Sequence, residues 1–191
     1  MSVIHWVRHA PTHERRFVGH RDVPADLSDT AQIERLSAAL PRDALVVSSD
    51  LQRAIDTATA LESGRIRLPH RAGLREFDFG DWDGLHFSDV AETWPDLSRA
   101  YWETPGDVAP PGGESWNNAA TRVAADIAAL LADYPRRDII AVAHFGVILS
   151  QVQIAAGITP HRALAHRIDN YSITEIQMRP TLGVARINHI V

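Results

Sequence analysis

Two short, unbroken apolar runs, "ALVVS" at residues 44–48 and "DIIAVAH" at 138–144, are each followed almost at once by a segment of helical periodicity. A strand that is apolar at nearly every position has no face to give to water. It belongs inside a sheet covered on both sides, the usual setting of parallel strands. Strands alternating with helices then require crossover connections, which restricts the chain to layered α/β architectures.

The first strand spans residues 2–8, where Val3, His5 and Val7 alternate with Ile4 and Trp6. In "SDTAQIERLSAAL", Ser28 or Thr30 is placed to cap a helix with Ile33, Leu36 and Leu40 on one face. After the second strand, Ser49 and Gln52 have capping-box spacing, and Leu51, Ile55, Ala58 and Leu61 share one side of the next helix. Residues 65–68 read as a short strand. From 77 to 113, Gly, Pro and aromatics, among them Phe79, Trp82, Trp94 and Trp102, follow no long period. This stretch is expected to be a lid-like excursion with short helices. A helix from Ser115 to Tyr134, the "DIIAVAH" strand, a helix ended by Gly157, a second short helix at 161–168 and a hairpin of "SITEIQM" and "VARINHI" complete the reading. The hairpin would supply edge strands to a mostly parallel sheet.

With 191 residues, 45% of them hydrophobic, one domain covering 1–191 is expected. The formal charge of −5 argues against a nucleic-acid partner held through a broad basic face. Zero cysteines exclude disulfides and thiolate chemistry. Only seven residues precede Arg8, too few for a secretory apolar region, and no run reaches the length of a membrane span. A cytoplasmic location without a membrane partner is expected, with a homodimer left open.

In such sheets ligands bind beyond the carboxyl ends of the strands. Here the first strand ends in Arg8 and His9, the late apolar strand in His144, and the helix after the second strand carries Arg53 in its first turn. Parallel neighbours would bring these onto one rim, where two guanidinium and two imidazole groups suit a compact, multiply charged anion. Arg presents a planar fork that matches phosphate oxygens in pairs, and a helix start near Asp50 would add N–H groups. Thr12 would add a hydroxyl donor. Arg8 lies among apolar neighbours with no carboxylate close in sequence, so its burial calls for an anionic partner.

Metal and serine chemistry fit less well. His5, His9 and His13 are four apart, and "HERRF" begins like a zinc-protease H-E-x-x-H, but Phe17 stands where its second His belongs. Pro11 and the strand pattern remove the helix which that spacing needs, so no metal is expected. No G-x-S-x-G elbow exists, and without Lys there is no P-loop.

Six motifs in order, from residue 7 to 148, resemble those of the histidine phosphatase superfamily, the phosphoglycerate mutase-like proteins. They are "VRHAPT", "GHRDVP", "SSDLQRAIDTA", "LREFDFGDWDG", "PPGGES" and "VAHFGVI". In length the chain is most similar to the branch that includes α-ribazole phosphatase. The resemblance implies a three-layer α/β/α sandwich and a cofactor-free, metal-independent phosphohistidine mechanism on a small phosphorylated metabolite. It assigns His9 as nucleophile, Arg8 and Arg53 as phosphate clamps, His144 as a further phosphate ligand and Glu76 as proton donor, against an ordinary ion pair of Glu76 with Arg75 or Arg71. Arg15, His20, Ser115 and Phe145 are the expected substrate-binding residues. The alternatives are a mutase, whose second anion site Arg15, Arg16 and His20 would build, a protein phosphatase, or a non-catalytic phosphate-binding module. Ala10 and Phe145 stand where the family usually has Gly, and the Phe145 ring disfavours a small, highly charged substrate such as a phosphoglycerate.

Overall fold

The computed structural model describes residues 2–191. Its elements are β1 (Ser2–Arg8), α1 (Thr30–Ala39), β2 (Leu45–Ser48), α2 (Gln52–Ala60), α3 (Phe87–Thr93), α4 (Pro95–Glu103), α5 (Trp116–Asp133), β3 (Ile139–Ala143), α6 (Phe145–Ala156), α7 (Pro160–Ala163), β4 (Ile173–Arg179) and β5 (Gly183–His189). Single 3-10 turns lie at Ala72–Leu74 and Gly80–Trp82. The sheet order is β2-β3-β1-β4-β5, with β1, β2 and β3 mutually parallel and β4 antiparallel to both its neighbours. Four of five strands therefore run the same way. The chain end supplies one edge, β5, whereas β4 is internal.

Pleating sorts the apolar runs onto two faces. Ile4, Trp6, Leu45, Val47, Ile139 and Ala141 pack toward α5 and α6, and Val7, Val46, Ile140 and Val142 toward α1 and α2, giving an α/β/α sandwich. The excursion carries a small core of its own in Phe17, Trp82, Val90 and Tyr101. No helix among the described residues is long and apolar enough to cross a membrane.

Several local expectations are corrected. The cap of α1 is Asp29, which accepts from Gln32 N–H, rather than Ser28 or Thr30. The Ser49–Gln52 capping box does not form: Gln52 N–H donates to Asp22 Oδ1 at 2.7 Å, and the Gln52 amide turns to Asp56. Residues 65–68 make only an isolated parallel bridge, Val46 to Arg67, with Ile66 61% exposed. The short helix spans Pro160–Ala163, started by Thr159 as cap and Pro160 at its first position.

Arg65 anchors the start of the 65–68 segment. Buried and without a carboxylate, it donates to the carbonyls of Ser37, Leu40, Pro41 and Leu61 and to the Ser37 hydroxyl. Its cation thus collects the orphan acceptors at the C-terminal ends of α1 and α2.

Candidate active site

Parallel pairing sets the carboxyl ends of β1, β2 and β3 side by side, with Arg8 opposite Ala143 and Ser48 opposite Val142. His9 N–H extends the ladder to Ala143 O at 3.0 Å. The rim therefore receives Arg8 and His9 from β1, His144 from β3 and Arg53 from α2.

The His9 ring is buried, and its Nδ1 lies 2.7 Å from its neighbour's carbonyl, Ala10 O. A carbonyl only accepts, so Nδ1 carries the proton and Nε2 keeps its lone pair. Around it the backbone is pinned. Asn170 Nδ2 donates to His9 O at 2.7 Å, and Ala10 N–H donates to Thr57 Oγ1, whose hydroxyl donates to Arg53 O. Ala10 takes a negative φ, so the loop has no need of glycine there. Burial first, then Arg53 and Arg8, hold the His9 pKa well below 6.5, which keeps the ring neutral.

The His144 ring stands 5.1 Å from that of His9, centroid to centroid. Arg53 Nε donates to His144 Nδ1 at 3.2 Å, so this ring holds its proton on Nε2, a fully buried donor with no hydrogen-bond partner. Burial, helped by Arg53, His9 and Arg8, keeps it neutral as well. The other Arg53 nitrogens bond Gly19 O and Arg21 O. Arg8 donates to Ile168 O, leaves Nε buried without a partner, and lies 5.5 Å from the Phe145 ring centroid. Among the described residues neither arginine forms an ion pair with a carboxylate.

Glu76 is buried and gripped by backbone. Its Oε1 accepts from Phe77 N–H at 3.0 Å and Val147 N–H at 3.3 Å, and its Oε2 from Gly146 N–H at 3.1 Å. The donors at 146 and 147 are the free first-turn amides of α6. Burial raises the Glu76 pKa above 4.5, against the pull of these amides and of Arg53 and Arg8. The alternative ion pairs are absent, because Arg75 pairs with Asp50 and Arg71 with Asp126.

Other expected residues fall elsewhere. Thr12 only accepts a 3.5 Å bond from Glu14 N–H, and Arg15 is exposed. Ser115 caps α5 by accepting from Asn118 N–H. Phe145 flanks Arg8, and His20 Nε2 donates to the Glu76 carbonyl at 3.0 Å. The zinc-like spacing dissolves as His5 turns to Glu175 and His13 to Asp26. Sequence reasoning missed Thr57, Asn170 and Arg122. Arg122 pairs with Glu114 and donates to the carbonyls of Gly73, Arg75 and Glu76, holding the loop that presents Glu76. The only sign of it was Glu114 in "PPGGES".

The sequence model of the histidine phosphatase superfamily (branch 1) matches residues 4–188. A curated relative, the bifunctional protein Rv2228c of Mycobacterium tuberculosis, is 33% identical over 156 residues, covering 78% of this chain and 43% of the relative. The chain thus spans less than half the length of that protein. The native structure of mycobacterial glucosyl-3-phosphoglycerate phosphatase Rv2419c superposes with a TM-score of 0.85 at 27% identity, covering 99% of both chains. The α-ribazole phosphatase of Shigella flexneri shares the fold, with a TM-score of 0.81 at 22% identity over 99% of this chain and 97% of that one. With the family match running nearly end to end, the chain belongs to the histidine phosphatase superfamily.

Proposed function

We propose that the protein is a phosphomonoester hydrolase that works through a phosphohistidine at His9 and needs no metal or cofactor. The observation that carries this reading is the His9 ring, buried between two guanidinium groups with Nδ1 committed to a carbonyl and Nε2 left as a lone pair. Nε2 attacks phosphorus as the ester P–O bond breaks. Arg8, Arg53 and the Nε2–H of His144 face the charge that spreads over the phosphoryl oxygens. Glu76, whose pKa burial raises, gives its proton to the leaving oxygen and then takes one from the water that cleaves the P–N bond. The products are the alcohol and inorganic phosphate.

A mutase would need a second anion site, and of the three residues expected to build it Arg15 points to solvent while the other two are otherwise engaged. Arg16 donates to Gly84 O, while His20 bonds the Glu76 carbonyl and faces Asp78. Hydrolysis is the better-supported reading, on a small phosphorylated substrate. Incubation with a 32P-labelled phosphomonoester followed by alkaline quench should trap an acid-labile adduct in wild type and none in His9→Ala. Absence of the adduct in wild type, with equal turnover by the variant, would overturn the mechanism.

A further inference from the structure

Glu76 also lines a recess of about 40 Å³ walled by Phe77, Phe79, Tyr101, Trp102, Trp116 and Phe145. Among the described residues that line it, Glu76 is the only charged side chain. Trp102 also lines a second groove of about 340 Å³ along α3 and α4, with Phe17, Phe87 and Val90 on its apolar side and Arg99 and Glu103 as its charged residues. The Phe17 ring packs 4.6 Å from Phe87 and is stacked 6.2 Å from Trp102. Phe87 is 51% and Trp102 41% exposed. An aromatic strip thus runs from the carboxyl at the reaction centre to the surface, and contiguous exposed aromatic area marks a place where something binds.

We propose that this strip is the subsite for the alcohol half of the substrate, and that the substrate class is a phosphomonoester of an apolar, aryl-bearing alcohol. The inference rests on the phosphatase reading. A group that protonates the leaving oxygen must touch it, so the alcohol begins where Glu76 stands, and that place is the recess. Inside the recess a carboxylated or polyol leaving group would be desolvated with no cation to meet it, and in the outer groove the charge of Arg99 is already matched by Glu103 and Asp96. An aryl ring would trade water for aromatic faces at its own size and shape. The recess holds only a few waters' volume, so the first atoms of the alcohol seat inside it and the ring lies over Trp102. Phe145 divides the two halves of the site, one face toward Arg8 and the ring lining the recess.

The test compares kcat/KM for 2-phenylethyl phosphate, glycerol 3-phosphate and 3-phosphoglycerate, three alkyl esters whose leaving groups differ little in basicity. Wild type should favour the phenylethyl ester by about a hundredfold. Trp102→Ala should cut that preference by about tenfold, mostly through KM, and Trp102→Phe should restore most of it. Competitive inhibition by inorganic phosphate reports an intact anion site in each variant. A preference for glycerol 3-phosphate or 3-phosphoglycerate, or one unchanged in Trp102→Ala, would overturn the aromatic subsite and leave the phosphatase reading standing. No turnover of any ester and no phosphohistidine would overturn both.

Discussion

Gly146→Ala adds one methyl group at the place where the helix grips the Glu76 carboxyl. A Cβ at 146 would lie 2.7 Å from Glu76 Oε1 and 3.0 and 3.2 Å from two atoms of the Phe77 ring. Carbon and oxygen in nonbonded contact settle at roughly 3.3 Å or more, so something must give by about 0.6 Å. Phe77 is packed in the core, which leaves the Glu76 carboxyl as the end that yields. Its amide bonds of 3.0, 3.1 and 3.3 Å cannot all survive that displacement. Losing one costs about 0.5–1.5 kcal/mol with the neutral acid as acceptor, offset by up to about 1 kcal/mol because Ala favours the helix. The melting temperature should fall by only a few degrees. Catalysis is more sensitive, since a misplacement of about 1 Å can cost roughly a hundredfold. The expected result is a 10- to 100-fold fall in kcat/KM, which reports transfer to His9 and not the later hydrolysis, on an alkyl phosphate and a much smaller one on 4-nitrophenyl phosphate, whose leaving group needs no proton. Equal losses on both esters, or none on either, would refute the placement of Glu76 as the acid.

The pH profile of kcat/KM should rise on an acid limb lying below 6.5, set by His9, and fall on a limb above 4.5, set by Glu76; Glu76→Ala should remove the falling limb. Stability should follow the histidines. Because the unfolded chain protonates near 6.5 and folded His9 and His144 do so only well below, stability present above 6.5 is lost progressively as the pH falls beneath it. Thermal melts between pH 7 and 5 should show this, and His144→Asn should flatten the trend. Inorganic phosphate at about a hundred times its Kd should add about 2.7 kcal/mol, a shift of roughly 5–10 °C, and Arg53→Ala should abolish most of it. Arg65→Met keeps the volume but strips donors from five buried acceptor contacts. It should cost about 2–4 kcal/mol in a denaturant melt while leaving kcat unchanged.

The sheet was legible because apolar runs and helix periods are local, and the rim followed because His9, His144 and Arg53 each sit directly after a strand or within the next turn. What stayed hidden depends on partners far apart in sequence. Asp22 caps α2 across 30 residues, where the sequence suggested Ser49. One of the amides expected to greet an anion at α2, that of Gln52, is thereby taken. The helix start that matters is that of α6, and it holds Glu76 from 70 residues away. Arg65 reads as one more loop cation, since nothing local says that the ends of two helices converge on it. The α1 cap, the strand at 65–68 and the short helix expected at 161–168 were misread for local reasons, being short patterns with more than one solution.

The charges at the rim form a consistent set. His9 and His144 are held neutral by burial beside the two arginines, and Glu76 is biased toward its neutral acid by its own burial. The site then carries the two positive charges of Arg8 and Arg53, equal and opposite to a phosphoryl dianion. That arrangement depends on Glu76 being held by amides rather than by either guanidinium. A salt bridge to Arg8 or Arg53 would pull its pKa down, remove the proton the leaving oxygen needs, and occupy a clamp at the same time. The cation that does serve the Glu76 loop, Arg122, pairs with Glu114 and donates to the Glu76 carbonyl. It positions the loop without spending its charge on the carboxyl, and so Glu76 stays unpaired with Arg8 and Arg53.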